Sequence, residues 1–276
     1  MPKLVNSSLK YRGKVGDEVF VDSRRYGHHV RKAQKAGARK SEWALKLQQG
    51  RNKNLNGLAS SIRLVINHCY RELFRTNMYQ RILQLIKREP SDSRSFSLLR
   101  LKGMEINLNY KLVGTYKVTV TTKKEKIFVN LEVVTHPIGM RVDANSYFND
   151  LLLFTWNSTN GPAMVSRDFS EWTYIKDGLP EFEFVFPKPK GAIHWMVALR
   201  EQMGVDCNDQ HDDVYSVKAQ GAQFLDVGSF NKKEQALLDQ RWEEIREKKS
   251  NEGNIFHIEI THRVKAKTVK KQRGGK

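Results

Sequence analysis

Tyr116-Lys117-Val118-Thr119-Val120-Thr121 leads through Thr122-Lys123-Lys124-Glu125 into Lys126-Ile127-Phe128-Val129-Asn130-Leu131-Glu132-Val133-Val134. Apolar and polar side chains alternate through both runs. A period of two puts one face of a strand in a core and the other in water, which is the pattern of an antiparallel sheet. Glu105-Ile106-Asn107-Leu108-Asn109-Tyr110 alternates in the same way upstream. Downstream, Leu151–Trp156, Glu181–Phe186, Ala192–Leu199 and Asp213–Val217 read as further short strands. Asn157–Pro162, Pro187–Gly191 and Cys207–Asp212 supply the turns. About seven short strands at this spacing predict an antiparallel, immunoglobulin-like β-sandwich over residues 101–228.

Before Pro90 the period is helical. Leu55, Leu58, Ile62, Val65 and Cys69 follow one another at intervals of three and four residues, an apolar stripe on one helix face. Ser41 is placed to cap this helix, and Glu42 in its first turn complements the helix dipole. Gly50 and Gly57 weaken it locally. Met78–Lys87 offers Ile82, Leu83, Leu85 and Ile86 for burial, and Pro90 with Ser91-Asp92-Ser93 ends the run. Residues 41–90 are therefore expected to form two packed helices. Beyond the sandwich, Asn231-Lys232-Lys233-Glu234 has the form of a capping box opening a helix to about Lys249, with Leu238, Trp242 and Ile245 on one face. Asn254–His262 alternates again and is expected to add a strand, completing a 229–262 segment. The fold class expected is mainly β with helices, ending in a disordered basic tail over 263–276.

The 276 residues carry 48 Lys+Arg and 30 Asp+Glu, a net charge of +18. That charge is unevenly spread. Residues 1–40 hold +8 and residues 263–276 hold +7, which leaves +3 for the 222 residues between. Within the first arm, Glu18-Val19-Phe20-Val21-Asp22 reads as a strand, Ser23–Gly27 as a turn and His28–Arg31 as the returning strand, so an ordered basic hairpin is expected, the alternative being an extended arm laid over a neighbouring subunit. An apolar content of 39% excludes a fully disordered chain. No run approaches the roughly 20 apolar residues of a membrane span, and Met1–Asn6 begins no signal peptide. Two cysteines, Cys69 and Cys207, make no disulfide framework.

Enzyme constellations are weak. His28-His29 are adjacent, and His257 and His262 are five apart, so neither pair has metal-ligand spacing. Asp206–Asp213 gathers four carboxylates but lacks the glycine and terminal glutamate of a calcium loop, and reads as solvated. Cys207 near His211 has no third group to orient it. Asp177, Glu181, Glu183 and Lys188 lack the spacing of a metal nuclease. Neither a phosphate-binding loop nor a nucleophile elbow occurs. No catalytic residue, metal ligand or cofactor is expected.

A basic Gly13-Lys14-Val15-Gly16 segment precedes the arginine-rich stretch and the helical region. A strand of the form Ala192-Ile193-His194-Trp195-Met196-Val197-Ala198-Leu199 and then Asp212-Asp213-Val214-Tyr215-Ser216 follow. This order resembles an uncharacterised domain family of Bacteroidota found without secretion signals, over residues 8–218. The resemblance implies a β-sandwich body and brings no catalytic residues with it. The expected function is a non-enzymatic structural or assembly subunit, of ribonucleoprotein, mobile-element or virion type. It would be made in the cytoplasm, would self-associate, and would bind nucleic acid or an acidic protein surface through its arms. The expected contacts are Arg24, Arg25, Tyr26, His28, His29, Arg31, Lys32, Lys35, Arg39 and Lys40, with Lys265, Lys267, Lys270, Lys271 and Arg273. The alternative is an enzyme acting on nucleic acid with carboxylates gathered from distant loops.

Overall fold

The structure, a computed structural model, describes residues 3–4, 11–15, 18–23, 27–32, 42–73, 77–90, 93–137, 144–157, 162–206 and 214–248. The chain divides into two units, Met1–Gly50 and Arg51–Lys276.

In the first unit, β1 (Lys3–Leu4), β2 (Tyr11–Val15), β3 (Glu18–Ser23) and β4 (Gly27–Lys32) form an antiparallel meander in chain order. The expected hairpin is β3–β4, with Phe20 opposite Val30 and Glu18 opposite Lys32. Opposite charges facing across a ladder favour that register. β1 and β2 extend the sheet beyond what the sequence reading anticipated. Helix α1 (Glu42–Cys69) begins in this unit and ends in the second. Its first nine residues bury no side chain, and Trp43 is 71% exposed.

The second unit contains the rest of α1, α2 (Met78–Ile86), α3 (Arg94–Leu99), strands β5 to β12 and a last helix, α4, over 232–248. The strands are β5 (Thr115–Lys123), β6 (Lys126–Thr135), β7 (Ser146–Trp156), β8 (Met164–Phe169), β9 (Thr173–Tyr174), β10 (Glu181–Pro187), β11 (His194–Asp206) and β12 (Val214–Ser229). They build two antiparallel sheets, a three-stranded one ordered β10-β6-β5 and a five-stranded one ordered β12-β11-β7-β8, with β9 also paired to β7.

The side-chain period explains how the layers stack. On β6, Ile127, Val129 and Leu131 point one way and meet Leu151, Leu153, Trp195, Val197 and Leu199 from the larger sheet. On β7 and β11 the alternate residues, Leu152, Phe154, Trp156, Met196 and Ala198, point the other way and meet Leu58, Ile62, Ile66, Ile82 and Ile86 of α1 and α2. The larger sheet is therefore buried on both faces, and its two central strands, β7 and β11, are buried almost throughout. Helices cover its outer face, unlike the two solvated outer faces of an immunoglobulin sandwich. A bulge opposite Val197 and Ala198 inserts Leu225 into β12. That extra residue lets Phe224 and Val227, three apart, both reach the helix side.

Two further differences from the sequence reading have local causes. Residues 105–110 form no strand. Glu105 makes one bridge to Gln223, after which Asn107 turns the chain: its Nδ2 donates to the Gln220 carbonyl at 2.6 Å and its Oδ1 accepts the Asn109 amide at 3.0 Å. An asparagine side chain bonding the backbone two residues on is an Asx turn, which ends a ladder. At the start of α4, Asn231 Oδ1 accepts the Lys233 amide, but Glu234 does not complete the box. It accepts the Ser229 hydroxyl at 2.8 Å and the Ser95 hydroxyl instead, tying α4 to α3 and β12. Leu238, Ile245 and Trp242 pack on Leu99 and Phe96 of α3, the face the sequence indicated. The 254–262 strand and the 263–276 tail lie outside the described residues.

Candidate nucleic-acid interface

Of the expected contact residues, His29, Arg31 and Lys32 are exposed on β4. His28 lies on the same strand. Arg24, Arg25, Tyr26, Lys35, Arg39 and Lys40, with Lys265, Lys267, Lys270, Lys271 and Arg273, lie outside the described residues, as do Cys207, His211, His257 and His262. Asp206 is described and is not part of a solvated loop. It is buried at the end of β11, where its backbone amide bonds the Asn145 side chain at 2.9 Å and its carboxylate accepts the Tyr174 hydroxyl.

The second unit holds a cationic site that the charge arithmetic did not reveal. A cleft of about 450 Å³ is lined by Arg81, Arg88, Arg100, Lys102 and Lys111 with one carboxylate, Glu105. One wall is α2 and its C-terminal turn, where Arg81 and Arg88 are seven residues apart and so share a face. The other wall is the segment after α3. Gly103, at φ +80°, adopts a left-handed turn that glycine takes without strain, and its amide donates to the Phe224 carbonyl at 2.8 Å. Ile106 then donates to the Ala222 carbonyl at 2.6 Å, so this wall is pinned to the edge of β12.

The five cations differ in freedom. Lys102 pairs with Asp226 at 2.7 Å and lies 5.0 Å from the Trp242 ring centre. Arg100 pairs with the buried Glu89 at 3.2 Å, and Arg241 approaches the same carboxylate at 3.3 Å. Arg88 and Lys111 are exposed and make no ion pair among the described residues. Arg81 donates through Nη2 to the Glu105 carbonyl, while its Nη1 is buried without a hydrogen-bond partner. Burial pulls the Arg81 guanidinium below its ordinary value, partly offset by Glu105. The Glu105 carboxyl is raised by burial despite accepting Gln223 Nε2 at 2.7 Å and the Leu112 amide at 3.2 Å. A buried donor without a partner costs about 1–3 kcal/mol.

Two buried polar clusters complete the inventory. Asp150, on β7, is fully buried between Arg167 and Arg200. Glu201, on β11, is fully buried between the two sheets and accepts the Tyr116 hydroxyl at 2.6 Å and the Gly114 amide at 3.1 Å. A Cβ on Gly114 would lie 2.6 Å from that carboxylate, so glycine is required there. Among the described residues no group of three or more His, Cys, Asp or Glu is placed to hold a metal ion, and no helix is long and apolar enough to cross a membrane.

Fold and cleft together define a mixed protein of three layers, sheet on sheet on helices, bearing a cationic cleft at the edge of the central sheet. No protein-family model matches the chain, and no curated protein or solved structure matches it either.

Proposed function

We propose that the protein is a non-enzymatic, nucleic-acid-binding assembly subunit. The observation that carries this reading is the cleft, where five cations face one carboxylate, Glu105. Such a site attracts phosphate through counterion release. Exposed Arg31 and Lys32 on β4, and the +15 carried by the two ends of the chain, add to the same field. Exposed apolar side chains in the first unit, Trp43, Leu47, Val15 and Val30, favour burial against another molecule and support assembly. A virion or ribonucleoprotein component would combine these two properties.

Binding of the full chain to random-sequence RNA and DNA, measured against salt, tests the reading. Affinity is expected to fall steeply as salt rises. Arg88→Ser with Lys111→Ser should lower the slope of log K against log salt by about 1.4–1.8, because each lost phosphate contact removes roughly 0.7–0.9. Arg31→Ser with Lys32→Ser should act in the same direction through the first unit. Salt-independent binding, or none, overturns the proposal.

A further inference from the structure

We infer that the cleft takes an unpaired nucleotide of a single strand, with a phosphodiester on Arg81 and the adjoining base against Leu85 and Leu108; this rests on the nucleic-acid reading above. Three observations favour a single strand over a duplex or a featureless polyanion.

The first is shape. A concave site of about 450 Å³ lies in the range of small-molecule pockets and is about the size of one nucleotide. A double helix is convex and keeps its base faces stacked inside, so it reaches such a cleft only with phosphates at the rim. A splayed single strand can place a whole nucleotide within it.

The second is composition. The cations do not form a continuous sheet of charge. Leu85, Met104 and Leu108 lie among them, with Leu108 45% exposed, and Gln84 adds a neutral amide. Phosphate gains nothing from an exposed leucine, whereas the face of a base does. Along α2, Arg81 and Arg88 are separated by a rise of about 10.5 Å, and Gln84 and Leu85 lie between them. A phosphate held at Arg81 therefore leaves the adjoining base beside the amide and apolar side chains of this wall. The cleft lining includes no aromatic ring, so the base is held by aliphatic contact. Such contacts tolerate any sequence.

The third is pre-organisation. Arg81 lines the cleft and is fixed through Nη2 on the Glu105 carbonyl, so its guanidinium is in place before any ligand arrives. Arg100 and Lys102 are held by Glu89 and Asp226, so they contribute field more than contact. A phosphate oxygen meets this prepositioned charge without first ordering the side chain.

The test uses the full chain with three fluorescent probes: a 12-nucleotide single strand, the matching duplex and heparin. Anisotropy at one salt concentration is expected to show the single strand bound at least tenfold more tightly than the duplex. Arg81→Gln should weaken the single strand about tenfold, with little change for heparin. Arg81→Lys, which keeps the charge and loses the fork, should recover less than half of that loss. Leu108→Ser should weaken the single strand several-fold while leaving its salt slope unchanged, which a purely ionic site would not do. Thermal melts of each variant matched to the parent chain separate binding from folding. Equal affinity for single strand and duplex, with Leu108→Ser silent, overturns this inference and leaves polyanion binding intact. Failure of all three probes to bind overturns the functional reading itself.

Discussion

Asp150→Ala is expected to destabilise the fold by about 3–5 kcal/mol, the cost of leaving a buried charge without its counter-ion. Arg167 grips Asp150 with both sides of its guanidinium, Nε to Oδ1 at 2.9 Å and Nη2 to Oδ2 at 2.8 Å. Arg200 reaches Oδ2 at 2.7 Å. Tyr70, at the end of α1, donates its hydroxyl to the Asp150 carbonyl at 2.8 Å, and its ring centre lies 5.2 Å from the Arg200 guanidinium. Two cations, one anion and one ring thus lock α1 to β7, β8 and β11. Removal of the carboxylate does not affect the two arginines equally. The Arg167 side chain is one-third exposed and can turn toward water, whereas that of Arg200 is 9% exposed and cannot. Adding Arg200→Met to Asp150→Ala removes the stranded charge and should restore most of the loss, since apolar replacements of buried ion pairs are often near neutral. Urea denaturation of the parent, single and double variants checks both values. A single-variant cost below about 1 kcal/mol would mean that Arg200 reaches solvent.

How far the sequence announces this structure depends on how many faces of each element are covered. β5 and β6 have one face in the core and one in water, so their alternation is plain and their hairpin was legible, although β5 pairs on through Lys123, within the stretch read as the connection. β7 and β11 are covered on both sides, which removes the alternation. Leu151-Leu152-Leu153-Phe154 therefore read as strand without showing that helices lie on its far side. Glu105–Tyr110 alternates as strictly as β5, but Asn107 spends its side chain on a turn, a choice that periodicity does not register. β8 went unnoticed because it is a sheet edge with mixed burial.

The cleft was hidden for a different reason. Net charge is a sum, and the +3 of the central residues adds cleft cations to carboxylates such as Glu132, Glu181 and Glu183, exposed on the three-stranded sheet. One sequence signal was available: Arg81 and Arg88, seven apart beside an apolar stripe, share a helix face. The contributions of Arg100, Lys102 and Lys111 depend on how 103–106 is pinned to β12, which no local pattern encodes. Glu201 was equally silent. Arg200-Glu201-Gln202 after an apolar run reads as the end of a strand, whereas β11 runs on to Asp206 through the interior.

That interior glutamate sets the second large expectation: the protein should lose stability as pH rises from about 5 to 8. Burial raises the Glu201 carboxyl from 4.5 to about 7, against the opposing effect of hydrogen bonds from Tyr116, Gly114 and Val113. The groups facing it supply no cation. Tyr116 comes from β5, Tyr147 from β7 and Glu105 from the segment before β5, and both phenols are themselves raised by burial and stay neutral. Oε2 accepts two donors, while Oε1 is buried without a partner. Across the ladder stands Asn149, fully buried, whose side-chain carbonyl also lacks a partner. With burial acting on the carboxyl and no cation facing it, the neutral acid is the form this site favours. Between the unfolded and folded values the folded chain holds the extra proton, and stability falls as pH climbs through about 7. The shift corresponds to a loss on the order of 3 kcal/mol, complete above the folded value and absent below 4.5. Glu201→Gln keeps a carbonyl for Tyr116 and Gly114 without titrating. Urea midpoints at pH 5, 6, 7 and 8 should therefore fall for the parent relative to Glu201→Gln, with the variant the more stable of the two at pH 8. Parallel curves for the two proteins would show that Glu201 is ionised at neutral pH and that water reaches the seam between the sheets. A widening gap would show that the seam is dry and that its closure is tied to one proton.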